Sequence, residues 1–307
     1  MAEGPAELKR KKIIDILKWA WIAVVVLAAG WYFYHRYQEI SSYLNTLSIA
    51  RLSLSLLVLL IGKFLVAEIT RFSLQRVGVQ VGFFEALTIT FVTQLGKYLP
   101  GGIWHFAGKF GVYKLKGIST KDSTKALVLE NLWLFSSSGV LGIVLLLISS
   151  RQVICDLSGV LCRDGFLNLI SVILPLFWII GLIFFEWIFL EKKKVQAKEF
   201  VQQVLVMISI WIAFGLSYWL VFPPRGGFFL QITGAFSLSW LAGYAAIFAP
   251  GGIGIRELML TAILGAFFSS SEVAIYATVH RLLWVLAEIL LGGGSALIFG
   301  LPGEKTT

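Results

Sequence analysis

The chain has 307 residues, of which 58% are hydrophobic, and a formal net charge of +9. A soluble domain of this size does not need so much apolar surface, and long unbroken apolar runs are typical of membrane-spanning helices, not of barrel strands. We therefore predict an all-α polytopic membrane protein with a single transmembrane domain over residues 1–307. Basic loops orient such proteins and contact anionic lipid headgroups, so the charge does not indicate a nucleic-acid partner.

The predicted elements begin with an apolar run at 13–34, which follows the basic sequence KRKK at 9–12. Because this run has about 22 residues, which is a spanning length, we interpret it as an uncleaved first span and not as a signal sequence. Further apolar segments follow in chain order at 50–70, 82–99, 102–117, 125–149, 166–190, 200–222, 228–249, 252–268 and 273–300.

The lysines and arginines between these segments predict the orientation of the chain. With a cytoplasmic N-terminus, the basic clusters at 9–12, 114–125 and 192–198 all face the cytoplasm, as the positive-inside rule requires. This predicts a multi-pass protein of the cytoplasmic (inner) membrane of a prokaryote, with both termini cytoplasmic. The layout works only if 82–117 starts and ends inside, and if 228–268 starts and ends outside.

The same orientation places both cysteines of the chain, Cys155 and Cys162, outside the cytoplasm. A disulfide can form there, and from the sequence a disulfide and two free thiols are both open. Two cysteines are too few for a metal cluster, and we predict neither a metal site nor a cofactor.

The two segments that enter and return each contain the sequence Pro-Gly-Gly-Ile, at 100–103 and 250–253. The two copies are 150 residues apart. Each lies in the same order of segments, which is span, broken hairpin, span, and the two halves enter that order from opposite sides. This predicts an inverted-topology repeat of about 50–150 and 200–300 with re-entrant hairpins. The segments 13–34 and 166–190 are then two additional spans.

The Pro-Gly-Gly breaks have a chemical consequence. Proline ends the helix before it, and the next helix starts with backbone N–H groups that have no internal partner and with the positive end of its dipole. Glycine lets a ligand approach that backbone closely, and such a site suits a phosphate. The breaks therefore predict an anion site, and an ordinary tight turn between two helices is the alternative. The candidate binding residues are Gly101, Gly102, Gly251 and Gly252.

Charged side chains inside the apolar segments are further candidates, because a charge at the centre of a membrane helix costs about 2.5–3.5 kcal/mol on insertion scales. Arg256 and Arg281 are candidate headgroup ligands, since a guanidinium binds phosphate bidentately. Lys97 and His105 flank the first break and are added to this set. The candidate counter-charges or coupling groups are Glu257, Glu288, Glu130 and His280.

These charges also have a structural interpretation, which is pairing between helices. For the histidines, an interior side chain with its hydrogen bonds satisfied is the simpler interpretation. Four further charged residues are placed near span ends, where their side chains are expected to extend to the membrane surface. These are Lys63, Glu68, Lys109 and Glu186.

Three sequence stretches resemble a known family. They are YLPGGIWHFAGK from Tyr98, APGGIGIRELM from Ala249 and HRLLWVLAEIL from His280. Over roughly 13–300 the chain resembles the flippase-like transmembrane region of lysylphosphatidylglycerol synthases and related stand-alone membrane proteins. The resemblance implies movement of a phospholipid, or of a polyprenyl-phosphate-linked lipid, between leaflets. Because the chain lacks the aminoacyl-transfer domain of the synthases, lipid aminoacylation is not expected.

The functional hypothesis is a lipid flippase-like transporter that works by alternating access and binds lipids with anionic headgroups. The motifs HExxH and GxSxG and a Walker loop are absent, and we predict no enzyme. Two alternatives remain open. One is a membrane enzyme acting on a lipid-linked substrate, and the other is a lipid-presenting partner of an envelope enzyme. A homo-oligomer is also open.

Overall fold

The computed structural model describes residues 37–98, 103–158, 164–191, 196–224, 227–246 and 249–300. Within these ranges the chain is helical and contains no strand. The predicted first span at 13–34 lies outside the described residues, and so do Gly101, Gly102 and Cys162. Cys155 is disulfide-bonded, which decides the question that the sequence left open for this residue.

The described helices are numbered here in chain order. Short 3₁₀ turns at Leu95–Tyr98 and Pro250–Gly252 accompany them. The α-helices are α1 Tyr37–Leu44, α2 Ile49–Arg76, α3 Phe83–Gln94, α4 Trp104–Leu115, α5 Thr120–Ser149, α6 Arg151–Ser158, α7 Asp164–Phe189, α8 Ala197–Trp219, α9 Phe229–Ala245, α10 Ile255–Leu264 and α11 Ser270–Phe299.

Five of these helices are long and apolar enough to cross a membrane. They coincide with predicted segments, so the prediction of an all-helical protein with several membrane-spanning helices is confirmed at this level. Their hydrophobic side chains face both the protein core and the outside, as expected for helices with lipid on one side. The five are α2, α5, α8, α11 and the part of α7 over Leu167–Phe189.

The helices next to the Pro-Gly-Gly breaks are shorter. Helices α3 and α4 have 12 residues each, and α10 has 10. At a rise of 1.5 Å per residue they measure about 15–18 Å, which is roughly half of the hydrocarbon thickness of a bilayer. Helix α9, with 17 residues, is the longest of this group.

Helices α5 and α11 are matched in length and in how they begin. Each has 30 residues, and their serine N-caps, Ser119 and Ser269, are 150 residues apart. Each serine Oγ accepts a hydrogen bond from the backbone N–H three residues later, that of Asp122 at 3.0 Å and that of Glu272 at 3.2 Å. A serine N-cap therefore starts both helices.

Glycines on these two matched helices allow close packing against shorter helices. Helix α5 packs on α9, and α11 packs on α3. A Cβ on Gly142 of α5 would lie 2.6 Å from Leu238 Cγ, and a Cβ on Gly292 of α11 would lie 2.9 Å from Leu95 Cδ1. Gly142 and Gly292 are again 150 residues apart, and each lets its long helix lie close to a neighbouring helix.

Gly292→Ala is expected to lower the free energy of unfolding by about 1–3 kcal/mol, because the added methyl group overpacks the contact with α3. The next residue supplies a matched control, since a Cβ on Gly293 meets nothing within 4 Å. Gly293→Ala should be neutral or stabilising by up to about 1 kcal/mol through its better helix propensity. Thermal unfolding in detergent compares the two variants, and equal effects would contradict the close packing.

Candidate functional site

The residues just before the first break contact the second break inside the fold. The 3₁₀ turn Leu95–Tyr98 contacts the turn Pro250–Gly252. A Cβ on Gly251 would lie 3.5 Å from a ring carbon of Tyr98 and 3.0 Å from Nη2 of Arg281, and the Arg281 guanidinium donates a hydrogen bond to the Gly251 carbonyl. The proximity of the two breaks, which the repeat predicts, is therefore present between their described residues.

Glycine is required at the second break by the backbone itself. Gly251 and Gly252 have φ angles of 59° and 75°, in the left-handed region that other residues rarely adopt. A Cβ on Gly252 would also lie 2.8 Å from the carbonyl oxygen of Gly243. The turn therefore brings its backbone against α9 and leads directly into α10.

Glu288 of α11 is the centre of a buried polar cluster at this place. Its side chain is 0% exposed. Its Oε1 accepts hydrogen bonds from Lys63 Nζ at 2.8 Å and from Lys97 Nζ at 2.5 Å. Trp284 Nε1 donates to the same oxygen at 2.7 Å, and Tyr98 Oη donates to Oε2 at 2.6 Å. We call these five residues the Glu288 cluster.

Lys63 lies at the middle of its helix, so the expectation that it extends to a membrane surface is wrong. It stands 14 residues after Ile49 and 13 before Arg76, the ends of α2, and it is 2% exposed. Its Nζ lies 3.8 Å from the centroid of the Trp284 ring. Trp284 is likewise central in α11, so the Glu288 cluster lies at mid-depth of two spanning helices.

The same expectation is wrong for Lys109 and Glu186. Both are buried, and Lys109 donates to Glu130 at 2.6 Å and to the Thr70 hydroxyl at 2.9 Å. Glu186 accepts a hydrogen bond from Trp133 Nε1 at 2.8 Å and pairs with an arginine at the end of α2. These charges are stabilised by partners within the protein, as burial requires.

Arg256 differs from the other buried charges. It is 8% exposed, and its guanidinium carbon lies 5.7 Å from the ring centroids of both Trp240 and Trp284. Its Nε is buried without a hydrogen-bond partner, and the described residues supply no acceptor to the rest of the guanidinium. It also lies in the first turn of α10, where the helix dipole disfavours a cation. A buried guanidinium in this setting calls for an anion.

Residues beside the first break and residues of the second break line one open cavity. Trp240, Trp284 and Tyr244 form its aromatic walls, and Gln94 lies at one side. The structure thus brings together five of the residues that the sequence nominated for binding. These are Lys97, His105, Gly251, Gly252 and Arg256.

An adjoining cavity is lined by another candidate residue, Glu130. Its polar wall includes a hydrogen-bonded chain in which His105 Nε2 lies 3.1 Å from Tyr244 Oη, and Tyr244 Oη donates to Asn131 Oδ1 at 2.9 Å. His105, Tyr244 and Gln94 line both cavities, so the two form one connected polar space.

Three further candidate residues share another cavity with Arg256. Glu257, His280 and Arg281 line a smaller cavity of about 300 Å³ together with Arg256. The carboxylate of Glu257 accepts the backbone N–H of Gly254 at 2.8 Å and so caps α10. His280 is buried, and its Nε2 lies 3.0 Å from the Ser217 hydroxyl.

Positive charge exceeds negative charge around Arg256. The charged groups that interact electrostatically with it or with its neighbours comprise four cations and two carboxylates, a formal excess of two positive charges among the described residues. An anionic ligand would balance this excess. The six groups are Lys63, Lys97, Arg256, Arg281, Glu257 and Glu288.

Sequence reasoning missed four residues of this site, which are Lys63, Gln94, Trp240 and Trp284. Lys63 had a usable signal, because a lysine at the centre of a 28-residue apolar helix is not near its end. Trp284 stands one helical turn before Glu288, which was a second signal. Comparison of the chain with family models and with curated proteins found no match.

Proposed function

We propose that this protein is a lipid transporter that moves an anionic lipid between the leaflets of the cytoplasmic membrane of a prokaryote. The lipid phosphate binds Arg256 in the cavity between the two breaks, and the acyl or prenyl chains stay in the membrane. The substrate is a phospholipid or a polyprenyl-phosphate-linked lipid. Transport proceeds by alternating access of the two halves.

The observation that carries this proposal is Arg256 itself. It is a buried guanidinium without a hydrogen-bond partner among the described residues, and it faces an open cavity. Ion pairs that serve only structure are satisfied within the protein, as the Arg76–Glu186 pair is, in which Trp133 also donates to Glu186. Charged groups at membrane depth that lack such a partner are typical of substrate pathways.

The packing supports an inverted repeat with re-entrant hairpins. The helices α3 and α4, and α9 and α10, flank the breaks; α3 packs on α11 and α9 packs on α5, each the long helix of the opposite half. The matched N-caps and glycines of α5 and α11 are what two repeats 150 residues apart require. Discontinuous helices meeting at mid-depth are the usual construction of transporter binding sites. The orientation with both termini cytoplasmic belongs to the same proposal.

The resemblance to the flippase-like region of lysylphosphatidylglycerol synthases favours the same function. The stretches that carry it contain Arg256, Arg281 and Glu288. In the fold these residues lie at the cavity or beside it. The residues behind the resemblance are thus the residues that the cavity requires for anion binding.

The test is translocation of labelled anionic lipid between leaflets in proteoliposomes. The double variant Arg256→Ala/Arg281→Ala is expected to lower transport by roughly 100-fold or to the level of protein-free vesicles, since each hydrogen bond to a charged group contributes about 1.5–3 kcal/mol. Arg71→Ala is the matched control, because Arg71 is partly exposed and pairs with Glu68. Wild-type transport by the double variant would overturn the site.

A further inference from the structure

We propose that the cavity beside Glu130 and Gln94 binds the hydroxyl groups of the lipid headgroup, so that the substrate carries a glycerol or sugar on its phosphate. This inference rests on the proposed function, and it names the class of headgroup that the transporter accepts. The phosphate lies at Arg256 in the first cavity, and the headgroup extends into the second.

Two buried polar groups of this second cavity have unused hydrogen-bonding capacity. Glu130 is 6% exposed, and Lys109 occupies only its Oε1, while Oε2 is buried and receives no hydrogen bond from the described residues. The side-chain oxygen of Gln94 is also buried and receives no hydrogen bond from the described residues. Leaving such groups unpaired costs about 1–3 kcal/mol each, so a ligand that donates to them gains affinity.

The position of Gln94 connects these groups to Arg256. Gln94 lies at the end of α3, directly before the first break, and lines both cavities. A ligand with its phosphate at Arg256 therefore meets Gln94 first and Glu130 beyond it. Glu130 lines only the second cavity, so a headgroup that ends at a phosphate in the first cavity does not use it.

The charges around the cavity determine which kind of hydrogen-bond donor it favours. The carboxylate of Glu130 is already neutralised by Lys109, and the adjoining cavity holds Lys97 and Arg256. An ammonium group entering this space meets an excess of positive charge, which disfavours it. A hydroxyl group donates and accepts hydrogen bonds without adding charge, and it suits both a carboxylate and an amide.

The aromatic walls agree with a glycerol or sugar. Phe106, Trp240 and Tyr244 line both cavities. Flat apolar surfaces combined with a few placed polar groups form a site for a ligand that has both C–H and O–H faces. The space is thus built for an uncharged polyol and not for a bare phosphate.

The experiment measures binding of five lipids to the full-length protein in detergent, by native mass spectrometry with titration, with chains matched within the acyl set and within the prenyl set. They are phosphatidylglycerol, phosphatidic acid, phosphatidylethanolamine and a glycosyl phosphopolyprenol with its unglycosylated counterpart as reference. The hydroxylated lipids are expected to bind at least about fivefold more tightly than phosphatidic acid or the unglycosylated phosphate, which is the effect of one hydrogen bond. Preference for the glycerol or the sugar form identifies the source of the hydroxyl groups.

Gln94→Met is expected to lower the affinity for the hydroxylated lipids more than the affinity for phosphatidic acid, so that the ratio of the two affinities falls towards one. Gln203→Met is the control, because Gln203 is a buried glutamine that lines neither cavity. Equal binding of phosphatidic acid and the hydroxylated lipids by the wild type, tightest binding of phosphatidylethanolamine, or an unchanged preference in Gln94→Met would each overturn the subsite. Failure of the wild type to bind any of these lipids would instead contradict the proposed function.

Discussion

Glu288→Gln is expected to lower the free energy of unfolding by about 3–5 kcal/mol, the largest effect of any single substitution at the site. The change removes one negative charge and leaves Lys63 and Lys97 buried without a counter-ion. Breaking a buried pair by neutralising one partner is costly, because the remaining charge stays desolvated. The glutamine keeps the size and one acceptor of the side chain, so the loss reports charge and not packing.

Chemical or thermal unfolding of the purified protein measures this effect. Lys97→Met is the matched control, since it removes one cation from the Glu288 cluster and leaves the Lys63–Glu288 pair intact at 2.8 Å. It should cost less than half as much as Glu288→Gln. Equal losses in the two variants, or a Glu288→Gln protein with wild-type stability, would show that Glu288 is not the centre of the buried charge network.

Arg256→Met is expected to change stability and transport in opposite directions. Methionine retains much of the apolar stem that packs against Gly243, and it removes a buried charge without a hydrogen-bond partner. The lipid-free protein should gain about 1–2 kcal/mol, because residues held at functional sites are often unfavourable for stability. Lost cation–π contacts with Trp240 and Trp284 offset part of this gain. Transport of anionic lipid should fall to background.

The two readouts come from unfolding of the delipidated protein and from the proteoliposome assay. Arg71→Met provides the comparison, because this partly exposed arginine should leave transport intact and alter stability by no more than about 1 kcal/mol. If Arg256→Met loses stability together with transport, then Arg256 has a structural role and the anion site is wrong. A stable variant with intact transport would place the headgroup elsewhere.

Local features of the sequence predicted the helices well. Runs of apolar residues marked α2, α5, α8 and α11, because a helix that crosses a membrane must be apolar along its length whatever it packs against. Proline and glycine marked the breaks for an equally local reason, since they act on the backbone at their own positions. The N-cap serines Ser119 and Ser269 were present in the sequence as well. They are separated by the same 150 residues as the two Pro-Gly-Gly-Ile sequences.

The sequence did not indicate which residues pair with the buried charges. Lys63 and Glu288 are 225 residues apart, and nothing near either residue in the chain indicates that they pair. Glu257 was nominated as a counter-charge, and in the fold its carboxylate caps α10. Arg256 was a candidate because a guanidinium binds phosphate. That its Nε has no hydrogen-bond partner among the described residues follows only from the positions of the neighbouring side chains in the fold.

By itself, the sequence determined that the protein is helical, where its long helices lie and where its backbone must break, because hydropathy, capping and glycine or proline geometry act over a few residues. Only the tertiary structure decided which charges are satisfied and which face a cavity. That distinction depends on how α2, α3, α10 and α11 pack, since a buried charge is stabilised by groups brought to within about 3 Å of it, wherever they lie in the chain.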